Sequence, residues 1–121
     1  MTHKKVTVEE TGSETETILE ENLTGYFEFK DNKLSVTAKN CTVSVKSLSN
    51  PNVEIELNGD NLIFNSNMQL RSIINNADNS TINGSALNDN IVNTGENVTI
   101  NAGRGDDNIT NIADDVLINA Q

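Results

Sequence analysis

Gly84-Ser-Ala-Leu-Asn-Asp-Asn-Ile-Val-Asn-Thr-Gly-Glu-Asn-Val-Thr-Ile-Asn101 is followed directly by Ala102-Gly-Arg-Gly-Asp-Asp-Asn-Ile-Thr-Asn-Ile-Ala-Asp-Asp-Val-Leu-Ile-Asn119, and seven of the eighteen aligned positions are identical. Each segment divides into two nine-residue halves with an apolar marker in each, Ile91 and Ile100, then Ile109 and Ile118. The nine-residue spacing runs backward through Ile82, Ile73, Phe64 and Ile55 without a miss. A fixed period of this kind marks a repeat architecture and takes precedence over reading elements one by one. Before Ile55 the phase returns as Val45, Val36, Phe27 and Ile18 once one extra residue is absorbed, and the turn-forming Ser49-Asn-Pro-Asn52 segment suits a corner that takes it. The markers predict twelve rungs from Ile18 to Ile118.

Two residues before many markers lies a second apolar position: Leu34, Val43, Val53, Leu62, Val98 and Val116. Alternation with period two inside each rung means strands, and the runs are short, β-branched and separated by Asn, Gly, Asp or Ser. Apolar spacings of three and four, which a helix needs, are not sustained. The predicted fold is therefore all-β, a parallel β-solenoid or β-roll with eighteen-residue coils of two rungs each and about six coils. Ile73, Ile91 and Ile109 should stack on one sheet, facing Ile82, Ile100 and Ile118 on the other. Asparagines keep the same period, as Asn65, Asn83, Asn101 and Asn119 along one corner and Asn75, Asn93 and Asn111 along another. Stacked amides can hydrogen-bond up such a ladder.

Composition suits a slender core. The 121 residues include three Phe, one Tyr and no Trp, so Ile, Val and Leu must fill the interior. The net charge is −10, and from Ser72 onward seven acids face Arg104 alone, which argues against a nucleic-acid partner. Acid excess of this size serves either hard cations or a soluble surface. The lone Cys41 makes an internal disulfide impossible and reads as a small buried residue.

The start, Met1-Thr-His-Lys-Lys-Val-Thr-Val, lacks the apolar run of a Sec signal, and no membrane span is written anywhere in the chain, which leaves a cytoplasmic protein, an interior fragment of something larger, or export by a route that needs no N-terminal signal. Residues 1–17, rich in Glu, are expected to cap the first coil, with Val6-Thr-Val8 as a strand and Ser13 with Glu16 as an alternative helix capping box. Residues 18–83 are expected to form metal-independent coils and residues 84–121 a distinct set of coils, truncated or open-ended after Val116-Leu-Ile118. An open β edge invites pairing, so this end is where a second copy would join to form a homo-oligomer.

Within this register Ala102-Gly-Arg-Gly-Asp-Asp-Asn-Ile-Thr110 resembles the nonapeptide of the RTX family, the haemolysin-type calcium-binding repeats, whose pattern is Gly, Gly, any, Gly, any, Asp, any, large apolar, any. Gly103, Gly105, Asp107 and Ile109 match, and Ala102 replaces the first glycine. The resemblance implies a parallel β-roll in which turns one coil apart share a Ca²⁺ ion, and it implies a secreted or cell-surface bacterial protein. Glycines allow the positive φ that turns carbonyls toward one point, and Asp supplies the charged oxygen a hard cation prefers. The partner turn is Gly84-Ser-Ala-Leu-Asn-Asp89, where Ser85 and Leu87 replace two glycines. The metal candidates are thus Asp107, Asp89, Gly103, Gly105, Ala102 and Gly84, with weak affinity because few charged ligands converge. Arg71 and Ser80 stand at the Asp position in earlier rungs, and Val98 and Val116 on the opposite side, so the family pattern covers residues 84–121 only.

Catalysis finds no matching constellation. His3 is the single histidine, and corner acids on a thin rod lack the concave, dry pocket that general-acid work needs. The Arg104-Gly105-Asp106 tripeptide resembles an adhesion motif, but this turn requires Gly and Asp in any case. The outward positions Glu54, Ile63, Ser72, Thr81, Asn90, Thr99, Asn108 and Leu117 form no sustained threonine array of the kind an ice-binding face would need. Two readings follow: a non-catalytic structural or calcium-responsive module, and a metal-independent spacer or self-assembling solenoid.

Overall fold

The computed structural model describes residues 4–11, 14–19, 25–45, 52–66 and 68–120. Eleven strands and no helix occur among them: β1 (Lys4–Thr11), β2 (Glu14–Leu19), β3 (Tyr26–Lys30), β4 (Lys33–Val45), β5 (Glu54–Ser66), β6 (Ser72–Asn75), β7 (Thr81–Asn83), β8 (Asn90–Asn93), β9 (Thr99–Gly103), β10 (Asn108–Asn111) and β11 (Leu117–Ala120). It follows that no helix among these residues is long and apolar enough to cross a membrane. His3, Ser13, Pro51 and Gln121 lie outside the described residues.

From β4 onward the chain is a parallel β-solenoid. On one face the first half of β4 stacks on β5, β6, β8 and β10, and on the other the second half of β4 stacks on β5, β7, β9 and β11. The step is eighteen residues: Ile73 pairs with Ile91 and Ile91 with Ile109, while Ile82 pairs with Ile100 and Ile100 with Ile118, as the sequence period requires. The interior markers Ile55, Phe64, Ile82, Ile91 and Ile100 are fully buried, together with Leu34, Val43 and Leu62. Burying each such side chain contributes about 1.5–3 kcal/mol, so the narrow core is the main source of stability. Cys41 is buried within it.

Three expectations are corrected. The chain makes about four turns, the steps from β4 through β5, β6 and β8 to β10, and not six coils, since the rungs at Ile18 and Phe27 belong to antiparallel hairpins. Ile18 lies in β2, which forms an antiparallel hairpin with β1, and Phe27 lies in β3, antiparallel to β4. The β3–β4 hairpin closes through Asp31 and Asn32, both at positive φ (53° and 59°), the geometry of a type I′ turn. These strands cover the first coil: β3 lies on Lys33–Thr37, and β1 runs parallel to Cys41–Val45. The strands up to Lys30 thus pair as antiparallel hairpins, and β2 is a strand over Glu14–Leu19.

The insertion before Ile55 is also larger than one residue. Leu34 stacks on Ile55 and Val43 on Phe64, a step of twenty-one, so Leu34 and Val43 head the marker columns instead of Val36 and Val45. Apolar alternation could not distinguish these registers. A shift of two residues keeps every side chain on its own face, whereas a shift of one would turn the core outward.

Corners repeat as faithfully as strands. Asn40, Asn61, Asn79 and Asn97 are all left-handed (φ 55–57°), and Asp115 continues the column at 57°. Asn and Asp tolerate this conformation better than other residues with a side chain. Their amides also stack: Asn61 Nδ2 donates to Asn40 Oδ1 at 2.7 Å, and Asn97 Nδ2 donates to Asn79 Oδ1 at 2.7 Å. The two expected ladders are present. Asn83, Asn101 and Asn119 each donate to the asparagine one coil earlier at 2.7–2.9 Å, and buried Asn75 and Asn93 donate to Asn93 and Asn111 at 2.8 and 3.0 Å.

Candidate metal centre

The turns 84–89 and 102–107 are held one coil apart by flanking ladders. Asn83 pairs with Asn101 before them, and Asn90 with Asn108 after them. Gly103 (φ 79°) and Gly105 (φ 104°) are left-handed, as their place in the motif demands. Close stacking demands glycine as well. A Cβ on Gly103 would lie 2.7 Å from the Ser85 carbonyl oxygen, and one on Gly105 would lie 2.8 Å from the Leu87 carbonyl. Gly84 has a different role: a Cβ there would lie 2.6 Å from Asp89 Oδ2 and 3.0 Å from the Ala102 carbonyl oxygen. The Asp89 carboxylate and the Ala102 carbonyl therefore border a small space that any side chain at residue 84 would fill.

Asp89 and Asp107 are brought together. Asp89 is only 3% exposed, and its N–H donates to Asp107 Oδ1 at 2.8 Å. The Ser85 hydroxyl donates to Asp89 Oδ1 at 2.9 Å and accepts the Leu87 N–H at 3.1 Å. Two further bonds tie the turns: the Asp106 N–H donates to Asn88 Oδ1 at 2.7 Å, and the Asn108 N–H donates to the Asp89 carbonyl at 2.8 Å. What remains is the second oxygen of each carboxylate. Asp89 Oδ2 and Asp107 Oδ2 are both buried and have no hydrogen-bond partner among the described residues. An unsatisfied buried charged oxygen costs more than the 1–3 kcal/mol of a neutral group.

Burial pushes the Asp89 carboxyl up to about 6, with the Asp107 charge acting in the same direction and the hydrogen bonds from Ser85 opposing it. The ordinary value is 3.8, so between about pH 4 and pH 6 the folded chain binds more protons at this site than the unfolded chain. The contribution of Asp89 to stability is then full below pH 4 and is lost as pH rises through 6. Without divalent cations, thermal scans between pH 4 and pH 7 should show the Asp89→Asn variant relatively more stable than the parent at pH 7, by roughly 1–3 kcal/mol. The gap should fall to about half of that by pH 5 and close only near pH 4.

The other positions in this column behave differently. Arg71, one coil before Asp89, is exposed and reaches Glu54 Oε1 at 3.4 Å, while neighbouring Leu70 is buried. Across the coil, Ser80 accepts the Leu62 N–H at 3.0 Å, and Val98 is buried. Asp106, Asp114 and Asp115 are exposed corner charges. Ser85 and Asn88 are the participants that sequence reasoning missed. Ser85 reads as a lost glycine, although a hydroxyl four residues before an inward Asp is the signal that finds it.

No protein-family model matches the chain, and no curated protein or solved structure matches it either. The site therefore stands on its own geometry.

Proposed function

We propose that the chain is a non-catalytic, calcium-responsive β-solenoid module of the RTX type from a secreted or cell-surface bacterial protein, binding Ca²⁺ weakly between the turns 84–89 and 102–107. The observation that supports this is the pair of buried, unpartnered oxygens, Asp89 Oδ2 and Asp107 Oδ2, on turns one coil apart. A hard divalent cation would neutralise both, which a monovalent ion or a neutral ligand would not. Among the described residues no group of three Asp, Glu, His or Cys side chains converges, so further ligands would come from backbone carbonyls of these turns. Gly84, Gly103 and Gly105 serve by keeping the turns free of obstructing side chains and close together, and Ala102 presents its carbonyl oxygen beside the Gly84 position. With two carboxylates the affinity is expected in the millimolar class of extracellular modules.

The thermal midpoint with millimolar Ca²⁺ and with chelator tests the reading. At about ten times Kd the ion should stabilise the fold by roughly 1.4 kcal/mol, a shift of several degrees for a chain of this size. Asp107→Ala should abolish the shift, and identical curves for the parent protein would end the proposal.

A further inference from the structure

The position of Ser85 corresponds, one coil earlier, to Gly103, a left-handed glycine. Ser85 is not among the left-handed residues of the chain, and it is 5% exposed. Its hydroxyl uses its single proton on Asp89 Oδ1 and a lone pair on the Leu87 N–H. The 84–89 turn is thus closed by a side chain where a glycine-rich turn would have no internal partner for its carboxylate. Glycine-rich turns carry a large entropy of the unfolded chain, so an ion that gathers their oxygens must also order them. Here Ser85 and Leu87 already limit that freedom, and one bond fixes the carboxylate.

We propose that Ser85 is a positioning residue that holds the Asp89 carboxylate in its folded place without metal, and so uncouples the folding of the 84–89 turn from Ca²⁺ binding. The proposal rests on reading these turns as the cation site. Two consequences follow from the same bond. The turn is formed before any ion arrives, and only Oδ2 of Asp89 is left open, because Oδ1 is held by the hydroxyl. The serine therefore lowers the cation's share of the stability and limits Asp89 to one oxygen unless the hydroxyl turns away.

The test uses the full chain and two variants, Ser85→Ala, which removes only the hydroxyl, and Ser85→Gly, which also restores backbone freedom. Amide hydrogen exchange at Leu87, measured in chelator, should quicken roughly tenfold in Ser85→Ala and more in Ser85→Gly, since the Leu87 N–H loses its acceptor. Exchange at Ile82 and Ile73 should stay unchanged. The rise in thermal midpoint produced by millimolar Ca²⁺ should be larger in both variants than in the parent. Unaltered exchange at Leu87, or a smaller Ca²⁺ shift in both variants, overturns the role of Ser85 while leaving the cation site standing. If the parent and both variants show no Ca²⁺ shift, the cation reading falls and the uncoupling with it. Faster Leu87 exchange would then mark Ser85 as a turn residue only.

Discussion

Gly59→Ala is expected to destabilise the solenoid by roughly 3–5 kcal/mol, enough to shift its urea midpoint by more than 1 M. Gly59 stands at φ 125°, which a residue with a Cβ adopts only under strain, and the added methyl would overlap the Ala38 carbonyl oxygen of the preceding coil. The cause is a corner where Ala38, Gly59, Ala77, Gly95 and Ala113 follow one another up the stack. Here the backbone of one coil rests on that of the next. A methyl on Gly95 would likewise overlap the Ala77 carbonyl. Relief would require the coils to part, breaking neighbouring ladder bonds. A urea titration of Gly59→Ala that superimposes on the parent would show that this corner is looser than described.

Asn93→Ala should cost nearly as much, roughly 3–5 kcal/mol by the same titration. Asn93 is fully buried, and its amide binds the Gly95 backbone and the asparagines of both neighbouring coils. It donates to the Gly95 carbonyl at 2.9 Å and to Asn111 Oδ1 at 3.0 Å, and it accepts from the Gly95 N–H at 3.2 Å and Asn75 Nδ2 at 2.8 Å. Truncation leaves the Gly95 backbone and the Asn75 amide buried without water to replace these bonds. Asn101 supplies the control, because its ladder lies on the half-buried outer side. Asn101→Ala should cost only about 0.5–1.5 kcal/mol, since solvent can satisfy what remains. Equal losses for the two variants would mean that the buried ladder has no special weight.

The contrast between these asparagines shows what the sequence could convey. Period nine revealed the strands, their parallel stacking and the facing columns of isoleucine, because each buried marker recurs where the next coil needs it. It could not reveal the β1–β2 and β3–β4 hairpins. Ile18 and Phe27 fit the same period, and parallel and antiparallel strands share the alternation of two. The left-handed corner at Asn40, Asn61, Asn79 and Asn97 was written at the coil period, but asparagine is so common in this chain that one more column did not stand out. At the candidate centre, the glycines and aspartates came from the resemblance of residues 102–110 to the RTX nonapeptide, which the period alone does not supply. The part played by Ser85 was not legible, since its value depends on the inward carboxylate of Asp89 four residues on.

A calorimetric Ca²⁺ titration of the purified chain decides whether the turns 84–89 and 102–107 hold an ion. One ion per chain is expected, with a dissociation constant in the millimolar class, lost in Asp107→Ala and weakened in Asp89→Asn. Absence of a binding isotherm at millimolar Ca²⁺, or one that persists unchanged in Asp107→Ala, would contradict this expectation.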